Sequence, residues 1–332
     1  MPPPRRPGLS VVIPAYRSPG TLDDLCRQLL DDVSPLVEQI EIIIVDDGSG
    51  DGTWETIRAL ASSTPEVRGI QLLRNYGQHN ALLAGMRQAR MPLVLTIDDD
   101  LQHRPSEVST LLDALSSDVD LVYGRPTHER QGALRNLASK WSKRMMAVTL
   151  GSGVHPRSGA FRLFRRELVA AADEVHDPSI SIDVLLSWAT NRIVDVAVHY
   201  DERAGGRSGY TAGKLIRHAA NMITGYSTRP LRWVSAFGLV CAMFGFALLG
   251  YILIRFLVGG SDVAGFTFLA ATVTLFSGVQ LLSLGVVGEY LGRMHFRSMG
   301  KPPYVVRETV EFDQPADEDD RTVFTPPGVR QS

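Results

Sequence analysis

The stretch IEIIIVDDGS, residues 40–49, runs from near-continuous isoleucine and valine straight into two aspartates and a Gly-Ser turn. Apolar residues at successive positions, not alternate ones, read as a strand buried on both faces. That is the condition of a parallel sheet covered by helices on each side. The next segment, DGTWETIRALASS (51–63), has helical spacing, and the pattern then repeats. LSVVIPAY (9–16), VRGIQLLRN (67–75), MPLVLTIDDD (91–100) and VDLVYGR (119–125) read as further strands. GTLDDLCRQLLDDV (20–33), GQHNALLAGMRQAR (77–90) and PSEVSTLLDALSS (105–117) read as helices between them. Such alternation predicts an α/β domain with a largely parallel sheet. Ligands of these sheets sit at the carboxyl ends of the strands, where PAY, DDGS, DDD and GR fall.

The rim so predicted is acidic. No G-x-G-x-x-G follows the first strand and no G-x-x-x-x-G-K-[ST] is present, which argues against dinucleotide and P-loop phosphate sites. Asp46 and Asp47 end one strand, and Asp98, Asp99 and Asp100 end another. Carboxylates there either accept hydrogen bonds from a ribose or base, or hold a hard cation such as Mg²⁺ or Mn²⁺. In an extended triplet Asp98 and Asp100 point the same way and Asp99 faces elsewhere, with Gln102 adding an amide oxygen from the side of the pair. The competing reading of the same cluster is a helix N-terminus, since RPSEV follows.

The second half has a different character. Residues 233–254 (WVSAFGLVCAMFGFALLGYILI) and 266–287 (FTFLAATVTLFSGVQLLSLGVV) contain no charged residue, and each is long enough to cross a bilayer as a helix. Arg217, Arg229 and Arg232 precede the first run, and Arg293, Arg297 and Lys301 follow the second. The connecting VGGSDVAG has no Lys or Arg, so the positive-inside bias predicts a two-span hairpin with the α/β part and both termini in the cytoplasm. The amino end, MPPPRRPG, lacks the apolar core of a signal peptide, which agrees with that orientation. Gly238, Gly245, Gly278 and Gly285 permit close helix packing within a chain or between copies in a homo-oligomer. The expected organisation is a flexible amino end (1–8), an α/β domain (9–212), a juxtamembrane amphipathic segment (213–232), two spans within 233–292 (about 233–257 and 266–290), a cytoplasmic return segment (293–310) and a flexible acidic tail (311–332). The segment 213–226 either lies on the cytoplasmic leaflet or packs against the α/β domain.

Composition narrows the classes. A net charge of −2 with 21% charged residues gives no basic field and no case for nucleic acid. Cys26 and Cys241 lie in segments of different character and read as reduced, buried thiols.

SVVIPAYRSPGTL, IIIVDDGSGDGTW, RNYGQHNALLAGMRQAR, TIDDDLQH and SGAFRLFRRE occur in this order, followed by DERAGGRSGYTAGKLIRHAANM and GVVGEYLGRMHFRSMGKPPYVV. Together they resemble the inverting nucleotide-sugar glycosyltransferases of the GT-A fold. More narrowly they are similar to the polyprenyl-phosphate glycosyltransferases, over about residues 8–310. The resemblance implies a sugar nucleotide donor, a UDP-sugar, and a polyprenyl-phosphate acceptor such as undecaprenyl or decaprenyl phosphate, with Mg²⁺ or Mn²⁺ as cofactor. It places Pro14, Ala15 and Tyr16 at the nucleobase, and Val45, Asp46 and Asp47 at base and ribose. Asp98, Asp100 and Gln102 would bind the metal, with Asp99 beside the ribose. Arg125, Arg135 and Ser139 would surround the phosphates, the two arginines positioning the acceptor, with ordinary surface arginines as the alternative. Arg203 and Ser208 would close over the diphosphate, although Gly209 stands where the family often has Lys or Asn. His79 is expected to structure its loop or helix start, His103 to lie behind the metal motif, and Asp183 to be a helix N-terminal carboxylate, with a site residue as the alternative. The Q-x-x-R-W signature of processive polysaccharide synthases is absent. A different lipid or glycan acceptor, or a non-catalytic membrane scaffold of the same fold, remain the competing readings.

Overall fold

In a computed structural model of the chain, the described residues are 6–126, 159–173, 181–201 and 265–312, with scattered positions between 234 and 258. Contacts divide the chain into a unit of residues 1–141, 152–209 and 301–332, and a unit of residues 142–151 and 210–300.

The first unit is an α/β sheet domain. Strands β1 (Leu9–Ala15), β2 (Ile40–Asp46), β3 (Val67–Leu72), β4 (Leu93–Thr96) and β5 (Leu121–Pro126) are the five that the apolar runs predict. Strands β6 (Arg162–Arg165), β7 (Ile193–Val198) and β8 (Val306–Glu311) complete a sheet of order β7-β5-β6-β4-β1-β2-β3-β8. The pairs β1–β2, β1–β4, β2–β3 and β5–β7 are parallel, whereas β6 and β8 run antiparallel to their neighbours. Helices α1 (Leu22–Asp32), α2 (Thr53–Ser63), α3 (Gln78–Gln88), α4 (Val108–Ala114) and α5 (Ile182–Ala189) connect and cover them.

All seven residues of both β1 and β2 are buried, which is why these strands are largely apolar on both faces; Ser10, Glu41 and Asp46 are the buried polar exceptions. Two core clusters result: Val11, Ile13, Ile42 and Ile44 pack with α1 and α2, while Val12, Ile43 and Val45 pack with α3. Each fully buried Leu, Ile or Val contributes roughly 1.5–3 kcal/mol. Helix α3 lies close on the sheet because position 85 is glycine; a Cβ there would stand 2.4 Å from Val12 Cγ1 and 3.0 Å from Val45 Cγ2.

The segment 293–310, expected as a return segment, is built differently. The helix α6 (Gly265–Ser298) extends into it, and Val306–Glu311 forms β8 on the edge of the catalytic sheet, paired with β3. Glu311, where the tail was expected to begin, is still strand and is bonded to Arg68 and Arg90. The sequence VRETVE hides this strand because an edge position tolerates charge on its open face.

In the second unit, α6 spans the second apolar run, and the described positions of the first run are helical. Gly245 of the first run lies against Phe276 of α6, where a Cβ would come within 3.1 Å of the ring. Leu281, Leu282, Leu284 and Met294 of α6 are exposed. Among the described residues, no helix is long and apolar enough to cross a membrane.

Replacing a helix-interior glycine by alanine ordinarily gains about 1 kcal/mol in helix propensity. At Gly85 the methyl must displace the stiff Val12 side chain, and overpacking of this kind costs about 1–3 kcal/mol. Gly85→Ala is therefore expected to lower the thermal midpoint of the purified chain by a few degrees, on the order of 2–4 °C per kcal/mol. A rise in the midpoint would show that the contact relaxes freely.

Candidate active site

The carboxyl ends of β1, β2 and β4 lie side by side, as their parallel register requires: Ala15 is opposite Asp46, and Val12 opposite Thr96. Asp46 is fully buried. Its Oδ1 accepts the Ser49 amide (3.0 Å) and the Ser49 hydroxyl (2.6 Å), and its Oδ2 accepts Gln71 Nε2 (3.1 Å). Asp47 is also buried and accepts the Tyr76 amide at 2.7 Å and the Gly77 amide at 2.8 Å, one on each oxygen. Burial raises the Asp47 carboxyl above its usual pKa, and those two amides pull it partly back. Between them and the loop lies Gly48, at φ +68°, where a Cβ would meet the Arg74 carbonyl carbon at 2.5 Å. The DDGS turn thus folds the 74–77 loop against the rim.

The second cluster follows β4. The strand ends at Thr96, and Asp99 and Asp100 lie in a turn that Leu101 completes with φ +58°. The chain is therefore not extended through the triplet, and strict alternation does not place its side chains. Contacts do. Asp98 Oδ1 accepts Gln78 Nε2 at 2.6 Å, from the first residue of α3. Asp99 Oδ2 turns back to β1, taking the Ser18 hydroxyl and the Tyr16 amide. Burial raises the Asp99 pKa in spite of both donors. Asp100 Oδ1 accepts the Gln102 amide at 3.2 Å, and Gln102 Oε1 accepts the Tyr200 hydroxyl at 3.0 Å.

No group of three His, Cys, Asp or Glu side chains among the described residues is arranged to hold a metal. The set Asp98, Asp100 and Gln102 offers hard oxygen donors, the chemistry that Mg²⁺ or Mn²⁺ takes. Two carboxylates and an amide leave coordination positions for the oxygens of a bound phosphate.

Behind the triplet, His103 is 5% exposed, stacked on Phe161 (centroids 4.9 Å apart) and edge-on to Tyr200 (4.6 Å). Its Nδ1 is buried and makes no hydrogen bond. The backbone of His103 bridges Tyr200, Gln102 O accepts the Asp201 amide, and Arg104 Nη2 donates to Asp201 at 2.6 Å. Further along the rim, the buried Arg162 donates to Asp183 Oδ1 at 2.6 Å, and the Tyr123 hydroxyl donates to the same oxygen at 3.1 Å. Burial and the Asp183 charge raise the Tyr123 pKa, which keeps the phenol a donor. Asp183 lies in the first turn of α5, as expected, and carries this ion pair besides. His79 Nδ1 accepts the Ile182 amide (3.4 Å), joining the starts of α3 and α5.

The residues read from sequence thus separate into groups. Tyr16 is exposed at the end of β1 with the Arg17 guanidinium 5.2 Å from its ring; Pro14 and Ala15 are buried beneath it. Val45 is a core residue, with its side chain packed towards α3. Asp46, Asp47 and Asp99 build the rim through bonds to the protein itself. Asp98, Asp100 and Gln102 gather at one turn. Arg125 pairs with Asp195 on β7 at 2.9 Å. Arg135, Ser139, Arg203 and Ser208 lie outside the described residues. Gln78, Arg162 and Tyr200 were not singled out from sequence, and each acts through a partner remote in the chain, which no local pattern signals.

This rim on this sheet defines a class of protein. Residues 10–172 match Glycosyl transferase family 2. The undecaprenyl-phosphate 4-deoxy-4-formamido-L-arabinose transferase of Yersinia enterocolitica is 34% identical over 311 residues, 92% of this chain and 94% of that protein. Proteins of the same name from Pseudomonas paraeruginosa (34% over 305 residues, 91% and 90%) and Klebsiella pneumoniae (33% over 319 residues, 95% and 97%) are similar. Among solved structures, mannosyl-3-phosphoglycerate synthase from Rubrobacter xylanophilus is similar at TM-score 0.47 and 20% identity, over 68% of this chain and 74% of that one. The chain belongs to glycosyl transferase family 2 and is a glycosyltransferase with a GT-A-like α/β fold.

The burial of His103 has a pH consequence. Burial depresses its pKa from 6.5 to about 4, although the Asp100 charge opposes the shift. Between those values the unfolded chain holds a proton that the folded chain does not, so stability falls as pH drops from 6.5 to 4. At about 1.4 kcal/mol per pKa unit the loss is on the order of 3 kcal/mol. His103→Phe, which keeps the stack on Phe161, is expected to flatten that part of the stability–pH curve measured by urea unfolding. An unchanged acid limb would mean that His103 titrates normally in the folded state.

Proposed function

We propose that the chain is a membrane-anchored, inverting glycosyltransferase that moves one sugar from a nucleoside-diphosphate sugar, a UDP-sugar in this reading, to polyprenyl phosphate. The observation that carries the acceptor is the extent of the likeness. The family-2 match ends at residue 172, whereas the relatives named for undecaprenyl phosphate align over 92% of the chain and so include its apolar runs. In this reading those runs form a hairpin in the plasma membrane, with the catalytic domain and both termini cytoplasmic. The contact of Gly245 with Phe276 supports such a pairing.

The acceptor chemistry needs little from the protein. The second pKa of a phosphate monoester is about 6, so a nucleophilic oxygen is already anionic at neutral pH. That oxygen bonds to the anomeric carbon from the face opposite the diphosphate, the bond to the leaving oxygen breaks, and the configuration inverts. The protein's task is to hold the two phosphates and neutralise the charge that develops on the one that leaves. Asp98, Asp100 and Gln102 would hold the divalent cation, which when bound stabilises the leaving diphosphate. Tyr16 offers the base an exposed ring. Arg125 positions the acceptor by exchanging Asp195 for phosphate, together with Arg135 and Ser139, and Arg203 and Ser208 attend the diphosphate.

Purified protein in detergent, given Mn²⁺, undecaprenyl phosphate and a panel of radiolabelled UDP- and GDP-sugars, is expected to move label into the lipid phase. EDTA should abolish the transfer, and Asp100→Ala should reduce it by at least about 10²-fold. Full activity in Asp100→Ala would remove the metal assignment. Nucleotide binding without any lipid product would remove the acceptor.

A further inference from the structure

Strand β8 reaches the donor side of the domain from the far end of the chain. Its register runs from Arg68 opposite Glu311 to Leu72 opposite Val306, and one residue further the Leu73 amide donates to the Val305 carbonyl at 2.9 Å. Arg307 Nη2 donates to the Leu73 carbonyl at 3.5 Å. Leu73 opens the loop whose other end, Tyr76 and Gly77, is held by the buried Asp47 carboxylate, and whose middle rests on Gly48. The next residue is Gln78, which holds Asp98.

The strand is itself pinned from the sheet side. Glu308 accepts Trp54 Nε1 at 3.3 Å and pairs with Arg58 at 3.1 Å, and Glu311 pairs with Arg68 at 2.6 Å and with Arg90 at 3.0 Å. Tyr304 packs against the core cluster of Val45 and α3, with the Arg87 guanidinium 5.7 Å from its ring and Arg87 Nη1 3.4 Å from its hydroxyl.

We propose that residues 304–308, which follow the second apolar run, are a positioning element of the donor site, with Tyr304 its anchor. They hold Leu73, and with it the 73–77 loop, in the arrangement that Asp47 and Gln78 complete on the nucleotide side. None of these residues touches the donor. They act through the loop, so the element sets donor affinity and leaves the chemical step alone. The inference rests on assigning the rim of β1, β2 and β4 to the donor nucleotide.

The test uses the full chain in detergent with Mn²⁺. Binding of UDP and of GDP is measured by calorimetry, and transfer kinetics are measured against donor concentration. Tyr304→Ala is expected to raise the Kd for the nucleotide and the donor KM by about 3–10-fold, the worth of a hydrogen bond and a cation–π contact together. The kcat at saturating donor should stay within about twofold. Tyr304→Phe, which keeps the ring over Arg87 and loses the hydroxyl, should raise Kd in the same direction by a smaller factor than Tyr304→Ala. Arg87→Gln, which leaves the strand intact, should shift Kd in the same direction by a smaller factor; it carries the test if Tyr304→Ala does not fold. A purely structural role would instead lower the binding stoichiometry and kcat at unchanged Kd, and that result overturns the proposal. Loss of lipid product with nucleotide binding intact removes the acceptor assignment and leaves this inference standing. Wild-type protein that binds neither nucleotide removes the donor assignment and this inference with it.

Discussion

Asp47 is the residue on which the rim depends. A carboxylate taken out of water is costly unless hydrogen bonds replace its hydration. Asp47 meets that demand with two backbone amides, from Tyr76 and Gly77, one on each oxygen. The arrangement fixes where the 73–77 loop must lie. It also requires a residue without Cβ at position 48, because the loop backbone passes at 2.5 Å from where that atom would be. Asp46, one residue earlier, does the same for the DDGS turn through Ser49 and Gln71. Two adjacent aspartates thus shape the rim, while the carboxylates suited to a cation follow β4, on the other side of β1 in the sheet.

The turn after β4 shows how one sequence motif serves several partners. Asp98 accepts from α3, Asp99 from Ser18 just after β1, Asp100 from the backbone amide of Gln102, and the Gln102 side chain from Tyr200. Three like charges in succession tolerate this proximity because each carboxylate accepts a hydrogen bond from a different donor. The left-handed conformation at Leu101 completes the turn that leads on to Gln102. The same turn is zipped to residues 199–201 by the His103–Tyr200 bridge and the Arg104–Asp201 pair, so the edge strand β7 is continuous with the motif.

Much of this was legible in advance. The apolar runs at 9–15, 40–46, 67–72, 93–96 and 121–126 are strands, and the helices between them fall within the expected segments. These elements are written in local pattern, and a buried parallel strand has the plainest pattern of all. Strands β6, β7 and β8 were not read. RLFR is short, IVDVAV is half exposed, and VRETVE carries charge on an edge. The rim residues were read, but their partners in the protein were not: Asp46 bonds to Ser49 and Gln71, Asp47 to Tyr76 and Gly77, and Asp99 to Tyr16 and Ser18. A carboxylate at a strand end looks the same in sequence whether it faces solvent or a neighbouring loop.

By itself, then, the sequence determined the covered, mostly parallel sheet, the rim on which its acidic residues gather, the oxygen-rich turn after β4 and the family to which the chain belongs. These are properties of residues near one another in the chain, where hydrophobic period and turn chemistry act directly. Tertiary structure alone decided that the strand after the apolar runs closes the catalytic sheet, that Arg162 meets Asp183 and Tyr123, and that Tyr200 and Gln78 hold Gln102 and Asp98. Each of those contacts joins segments separated by a loop or a whole unit of the fold, and its strength comes from burial and geometry that exist only once the chain has closed on itself.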